Sequence, residues 1–144
     1  MTFCLFTFFI TLLLPVSAQS GSSINISVKT ILASENGNSV SPGLNDIVSE
    51  LQSVFRYSSY EFLDQKGLSL SLNSRGGVSL PDQITMNISS MGIEGDRAVL
   101  DIEISKGGSR IMQTVIKLQN NSSINIGGPE FKGGNLLFNI FASF

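Results

Sequence analysis

The sequence predicts a mainly β protein, α+β by strict count: an antiparallel β sandwich or partly open barrel of about seven to eight strands. Most of the chain after residue 23 alternates apolar and polar residues, which is the period of a strand buried on one face. Turn-forming clusters of Gly, Asn, Asp and Pro separate these segments roughly every eight to twelve residues, which favours antiparallel connections. A single stretch, residues 41–56, has helical spacing instead.

Residues 1–18 are typical of a signal peptide. Residues 3–14 are apolar apart from Cys4 and two threonines, Pro15 breaks the run, and residues 16–18 are the modest or small residues that a signal peptidase reads. The run carries no preceding Lys or Arg, so a retained anchor is the alternative, although the run is shorter than the ~20 residues that span a bilayer. We expect cleavage after Ala18, export to the periplasm or cell surface, and membrane association only if the segment is retained.

The rest of the chain suits a flexible stretch over residues 19–23 and a single β-rich domain over residues 24–144. The whole sequence has no His and no Trp, and its one cysteine, Cys4, lies in the predicted signal peptide. An exported domain without cysteines fits a bacterial envelope better than a small eukaryotic secreted scaffold. The net charge of -2 without a basic stripe makes nucleic acid a poor partner.

The first strand begins at Ile24, where apolar residues alternate with polar ones up to Lys29. The alternation changes phase at residues 30–32, which predicts a bulge or a second buried face. Residues 35–39 are a turn by composition, because Asn and Gly tolerate positive φ.

The helix is predicted over residues 41–56, after the first strand. Ser41 would be the N-cap and Pro42 the first helical residue, where a missing N–H costs nothing. One apolar stripe follows and should pack on a sheet: Leu44, Ile47, Val48, Leu51, Val54 and Phe55.

The remaining strands are predicted from alternating segments bounded by turns. The strands cover residues 60–63, 68–72, 78–80, 84–89, 98–105, 111–118, 124–126 and 136–142. The turns cover residues 64–67, 73–77, 81–82, 94–96, 106–108, 127–129 and 132–134, and the glycine pairs within them are interpreted as hairpin turns.

No pattern predicts a catalytic, cofactor or metal site, so we expect a protein that is not an enzyme. Without His, no Ser-His-Asp triad can form, and the glycine pairs lack the spacing of a phosphate loop. Asp101 and Glu103 share one strand face. We interpret them as the solvated face of an amphipathic strand, not as cation ligands or an acid/base pair.

Aromatic residues concentrate at the junction between the helix and the next strand. Phe55, Tyr60 and Phe62 fit core packing, whereas Tyr57 lies outside both the helical and the strand pattern. A stacking platform for sugars or a groove for a peptide is the alternative. The candidate contacts for a ligand or partner are therefore Tyr57, Tyr60 and Arg56.

Three segments resemble a loosely defined group of small exported bacterial proteins of uncharacterised function. These segments are residues 55–63 (FRYSSYEFL), 79–81 (SLP), and 126–129 (IGGP) followed by 133–137 (GGNLL). The resemblance covers residues 24–142. It implies an exported single domain of Gram-negative type and transfers no catalytic residue.

These observations together predict an exported binding or assembly module of the cell envelope. An envelope protein would bind at a sheet surface or exposed strand edge, which needs no special side chains and leaves no motif. One alternative is a secreted module that binds a glycan or peptide near Tyr57. Another is a small outer-membrane β-barrel, suggested by the alternation over residues 136–144.

Overall fold

The computed structural model describes residues 22–144, so the predicted signal peptide and residues 19–21 lie outside the described residues. In the described part, a 3-10 helix covers Pro42–Leu44 and an α-helix, α1, covers Val48–Val54. The strands are β1 (Ser23–Ser34), β2 (Ser59–Ser71), β3 (Arg75–Leu80), β4 (Ile84–Glu94), β5 (Arg97–Lys106), β6 (Ser109–Gln119), β7 (Ser122–Phe131) and β8 (Gly134–Ser143).

The strands form two four-stranded sheets, and this confirms the predicted antiparallel β sandwich. The first sheet has the order β2-β1-β8-β7 and the second has the order β3-β4-β5-β6. Every strand pair within the sheets is antiparallel. The chain passes between the sheets at the β2-to-β3 and β6-to-β7 connections, so the described strands build two separate layers and not a partly open barrel.

The main core lies between the two sheets and is formed by the alternating apolar residues that the sequence predicts. Its largest fully buried side chains include Ile24, Phe138, Ile84, Met86, Ile88, Leu100, Ile102 and Ile104. A second cluster, the helix core, lies on the outer face of the first sheet beneath α1. Its buried residues are Ile31, Ala33, Leu44, Ile47, Leu51, Tyr60 and Leu137.

Of the two alternatives expected at residues 30–32 of β1, the second buried face is confirmed, whereas the bulged residue lies on the neighbouring strand β2. Ile24 and Val28 point into the main core, whereas Ile31 and Ala33 are buried in the helix core. The register with β2 shifts between Thr30 and Ile31, because Leu63 has no partner on β1. The inserted residue lies on β2, whereas β1 pairs with β8 from Asn25 to Ala33 without a shift. Ile31 and Ala33 therefore lie on the opposite face of a regular strand, and the helix core buries that face.

The predicted continuous helix over residues 41–56 is wrong in its extent. Ser41 does not cap α1, because its hydroxyl oxygen accepts a hydrogen bond from the Phe62 N–H at 3.0 Å. The chain instead makes the 3-10 helix and begins α1 at Val48. Leu44, Ile47 and Leu51 are nevertheless buried. The stripe therefore identified most of the packed face, but it was wrong at Val54, which is 63% exposed. A helix this short depends on tertiary packing to form.

Two predicted turns are strand, and the turn predicted at residues 73–77 does separate β2 from β3 but ends early, because β3 begins at Arg75. Residues 64–67 continue β2 along β1, Gly76 and Gly77 lie in β3, and residues 127–129 lie in β7. At these glycines the chain does not reverse. The missing side chain instead lets a neighbouring residue approach the backbone closely. A Cβ on Gly76 would lie 2.8 Å from Leu70 Cδ2, and one on Gly128 would lie 2.6 Å from the Phe138 ring. The turns predicted at residues 94–96 and 106–108 do separate strands.

The last predicted strand is a central one. β8 lies between β1 and β7, and its residues Leu136, Phe138, Ile140 and Ala142 are fully buried in the main core. Its Leu137 faces the helix core. Among residues 22–144, no helix has the length and apolar character needed to cross a bilayer.

Candidate functional site

Tyr60 is a structural residue of the helix core. It is fully buried, and its hydroxyl donates to the Phe55 carbonyl oxygen at 3.0 Å and lies 3.4 Å from the Leu51 carbonyl oxygen. The Phe55 carbonyl lies just past the end of α1, where backbone oxygens lack helical partners, whereas the Leu51 oxygen also accepts from the Phe55 N–H. Burial raises the pKa of the Tyr60 phenol above its ordinary value of 10.0. The side chain offers no surface to a ligand or partner.

Tyr57 is half-buried and held in place from two sides. Its ring meets the Tyr60 ring edge-on, with 6.5 Å between centroids and 86° between planes. Its hydroxyl donates to Asn135 Oδ1 at 3.0 Å, which ties the end of the helical segment to the start of β8. Arg56 is exposed beside it. Of the three predicted contact residues, Tyr57 and Arg56 therefore reach solvent and Tyr60 does not.

A cleft of about 700 Å³ lies beside Tyr57, and we call it the Tyr57 cleft. It is lined by Ser34, Glu35, Asn36, Tyr57, Glu130, Phe131, Lys132, Gly133, Gly134 and Asn135. Most of these side chains can form hydrogen bonds, and the Lys132 ammonium lies 5.2 Å from the centroid of the Phe131 ring. Arg56 does not line it. The site therefore offers an aromatic ring among amide, carboxylate and ammonium groups.

Sequence reasoning missed Glu130 and Lys132 as neighbours of Tyr57. The pairing of Ala33 with Asn135, and of Phe131 with Gly134, brings the ends of β1 and β7 to the start of β8. Both flanking turns were predicted at the right positions. Their adjacency arises from the pairing of β1 with β8, and no local pattern reports that pairing.

Four strands form the sheet edges, and three of them carry protective features. β2 carries Asp64 and Lys66 in its middle and the bulge at Leu63, and β3 is only six residues long. β7 shifts register between Gly127 and Glu130 and contains Pro129. Charges, bulges, proline and short length all hinder pairing of an edge with another strand.

β6 is the least protected edge. It is 11 residues long and contains no Gly or Pro, and residues 111–116 (IMQTVI) carry no charge. Its one irregularity lies near its beginning, where the register with β5 shifts between Ile104 and Ser105. Val115 is 55% exposed and Ile111 is 47% exposed. Long uncharged stretches of β-branched residues at an edge are prone to pair with added strands.

An apolar opening adjoins this edge. β6 and β7 are joined by a short turn yet belong to opposite sheets, so they diverge away from that turn. A cavity of about 290 Å³ lies between them, and we call it the β6/β7 mouth. It is lined by Ile104, Ile111, Met112, Gly127, Gly128 and Pro129.

The outer face of the second sheet carries charged side chains that are paired across strands. Gln113 Nε2 donates to both carboxylate oxygens of Asp101, at 3.1 and 3.2 Å. Arg75 and Arg110 lie 3.2 and 3.6 Å from carboxylate oxygens of Glu103. Asp101 and Glu103 are thus engaged by neighbouring strands. Within residues 22–144, no three His, Cys, Asp or Glu side chains are grouped to hold a metal ion.

Comparisons with known proteins give no relative for this chain. No family model, no curated protein and no solved structure matches it.

Proposed function

We propose that this protein is an exported binding or assembly module of the cell envelope, without catalytic activity, which recruits a protein partner by strand addition at β6. The observation that carries the proposal is the contrast among the four sheet edges. Only β6, among the edges of the described sheets, combines an uncharged middle and an adjoining apolar opening with a strand that contains no Gly or Pro. A strand added there continues the second sheet.

Backbone groups supply most of the affinity in this mode of binding. Alternate residues of an edge strand turn their N–H and C=O groups away from the sheet, where an extended partner segment can pair with them. Exposed Val115 adds apolar contact on the outer face. Such a site requires no residue motif, which agrees with the lack of one in the sequence.

The leader and the residue composition support the remaining parts of the proposal. Residues 1–18 predict export, and the chain after them has neither His nor Cys. A Ser-His-Asp triad and a thiol nucleophile are therefore excluded for the mature chain.

Site-specific crosslinking in the envelope tests the proposal. A photoreactive residue replaces Val115 on β6 in one variant and Val54 on α1 in the matched control. These two valines are 55% and 63% exposed, and Val115 lies on the second sheet whereas Val54 is the last residue of α1. We expect one discrete crosslinked protein from position 115 and none from position 54.

A charge substitution supplies the second arm of this test. Val115→Lys places an edge lysine on β6, which should block pairing, and Val54→Lys adds the same charge elsewhere. With position 113 as the crosslinking site, Val115→Lys should abolish the product and Val54→Lys should leave it. Equal crosslinking in both variants, or no product from either β6 position, refutes strand addition at β6.

A ligand-binding module is the second candidate, because Tyr57 lines a polar cleft of about 700 Å³. An aromatic ring surrounded by amides and carboxylates suits a glycan or a short peptide. Binding to glycan and peptide arrays should be lost in Tyr57→Ala and kept in Arg56→Ala, because Arg56 does not line the cleft. Blank arrays, or binding that Tyr57→Ala leaves unchanged, would remove this candidate.

A further inference from the structure

The β6/β7 mouth restricts how a partner strand can lie. One wall consists of Ile104, Ile111 and Met112, and the other is mainly backbone, because Gly127 and Gly128 have no side chains. Pro129 has no N–H to donate, so β7 cannot extend its sheet at this point. A segment that enters the mouth therefore pairs with β6 and only abuts β7.

The pairing of β6 with β5 fixes which faces the partner's side chains occupy. Met112 pairs with Ile104, which points into the main core, and Gln113 pairs with Glu103 on the outer face. Residues directly opposite each other on neighbouring strands point to the same face. The partner residues opposite Met112 and Thr114 therefore point toward the mouth, and their neighbours point toward solvent.

The mouth requires apolar side chains. Ile111 has no partner on β5 and is 47% exposed at the opening. Its environment is otherwise apolar, and a polar group placed there would lose hydrogen bonds to water without replacement. A cavity of about 290 Å³ has room for a large apolar side chain such as Leu or Phe.

The outer face of β6 requires negative charge. β6 carries Arg110 and Lys117 and no carboxylate, and these side chains are 59% and 53% exposed. The acids that pair with them are on strands farther from the edge: Glu103 is on β5 and Glu94 is at the end of β4. A second copy of the chain would bring the same two cations to the junction, which disfavours self-pairing.

We infer that the partner segment is an extended strand of another protein in which large apolar residues alternate with polar ones and the polar face carries carboxylates. The apolar residues fill the β6/β7 mouth, and the carboxylates lie beside Arg110 and Lys117. This inference rests on the proposed function, because it specifies the chemistry of the strand that β6 recruits.

Synthetic peptides test the inference with the full mature protein. The probe is a terminally blocked, fluorescently labelled peptide of about nine residues, a typical strand length, in which Leu alternates with Thr and Glu. One control has the same composition with the alternation shuffled, and another has Lys in place of Glu. Fluorescence anisotropy should show binding at least about tenfold tighter for the alternating acidic peptide than for the shuffled one.

The charge arm has a matched reversal. Two cross-strand ion pairs should make the Lys peptide about two- to thirtyfold weaker than the Glu peptide, and the difference should shrink at 1 M salt. In the double variant Arg110→Glu, Lys117→Glu, the preference should reverse. A Lys peptide that binds the unaltered protein as well as the Glu peptide does would contradict the acidic face.

The mouth arm compares two exposed isoleucines of the second sheet. Ile111→Asp places a charge at the opening, whereas Ile93, which is 36% exposed, lies outside it. Ile111→Asp should remove the advantage of the alternating peptide, and Ile93→Asp should keep it. Equal binding of both peptides to the unaltered protein refutes the inference, as does a β6-dependent dimer in sedimentation.

The two proposals fail in different ways. If the alternating and shuffled peptides bind equally while the crosslink from Val115 persists, the partner chemistry is wrong and strand addition at β6 stands. If the crosslink is absent, the proposed function fails whatever the peptides do.

Discussion

The two sheets share one core but differ in what covers their outer faces. In β8, a central strand of the first sheet, the adjacent residues Leu137 and Phe138 are both buried, one in the helix core and one in the main core. In β5, a central strand of the second sheet, Leu100 is buried while Asp101 pairs with Gln113 at the surface. A short helical segment therefore turns the same alternation into a strand buried on both faces.

The outer face of the first sheet is covered, whereas the outer face of the second sheet is exposed. The first sheet is covered by α1 and tied to it by the Tyr60 hydroxyl. The second sheet is bare on its outer face and ends in the unprotected edge β6. Four pairs of variants test this difference through the free energy of unfolding.

Truncation of an outward residue in each central strand should have the largest effect. Leu137→Ala removes a buried side chain of the helix core and should cost about 2–5 kcal/mol of unfolding free energy. Asp101→Ala, at the equivalent position of the second sheet, should cost less than about 1 kcal/mol. Denaturant unfolding measures both. Similar losses would show that the helix core adds little to stability.

A methyl group at the start of β8 should have the next largest effect. A Cβ on Gly134 would lie 2.3 Å from the Ala33 carbonyl oxygen, so Gly134→Ala must push β8 away from β1 and should cost about 1–3 kcal/mol. Gly67→Ala is the control on edge strand β2, where the nearest atom is 3.7 Å away. Calorimetry should find the control close to the unaltered protein, and equal losses would contradict the close packing of β1 and β8.

Removal of the buried hydroxyls at two of the register shifts should stabilise the protein. Thr30 and Ser90 are buried, their hydroxyl oxygens have no hydrogen-bond partner, and each lies at a register shift. Thr30→Val and Ser90→Ala remove these groups and should each raise the unfolding free energy by about 1–2 kcal/mol. A loss of stability in either variant would show that the hydroxyl is bound in solution.

The hydroxyl that ties α1 to the first sheet should have the smallest effect and a pH signature. Tyr60→Phe should cost about 1 kcal/mol at neutral pH. The folded-state pKa of Tyr60 is raised, so its contribution is complete below pH 10.0 and is lost as the pH rises further, because the unfolded chain ionises first. Chemical unfolding at neutral pH and again above pH 10.0 measures how much unfolding free energy each protein loses between the two conditions. This loss should be smaller in Tyr60→Phe than in the unaltered protein. Tyr57→Phe is the control, and an equal loss in Tyr60→Phe would contradict the assignment.

Sequence reasoning was sufficient where a pattern is local. Alternation located the strands and their buried faces, and the phase change at residues 30–32 predicted a bulge or a second buried face, of which β1 has the second buried face. Local signals failed where glycine has two uses. Gly76, Gly77 and Gly128 were predicted to be turn residues, but they permit close packing inside strands.

The candidate sites required the fold. Tyr57 was identified because it fits neither pattern, yet Glu130 and Lys132 join its cleft only through long-range pairing. The sequence predicted that some strand edge would be exposed but not which strand it would be, because the order of strands in the sheet decides which ones lie at its edges. β6 becomes an edge because the chain crosses to the other sheet after residue 119.

The pairing of β1 with β8 sets the order in which the chain can fold. Asn25 pairs with Ser143 and Ala33 with Asn135, so each contact joins residues more than a hundred positions apart. Contacts of such high separation slow folding, because the loop entropy is lost before the contacts form. The first sheet cannot close until residues 134–143 have been synthesised. The second sheet has no such dependence, because its strands β3 to β6 pair only with their neighbours in sequence. During synthesis it can therefore form before the first sheet does.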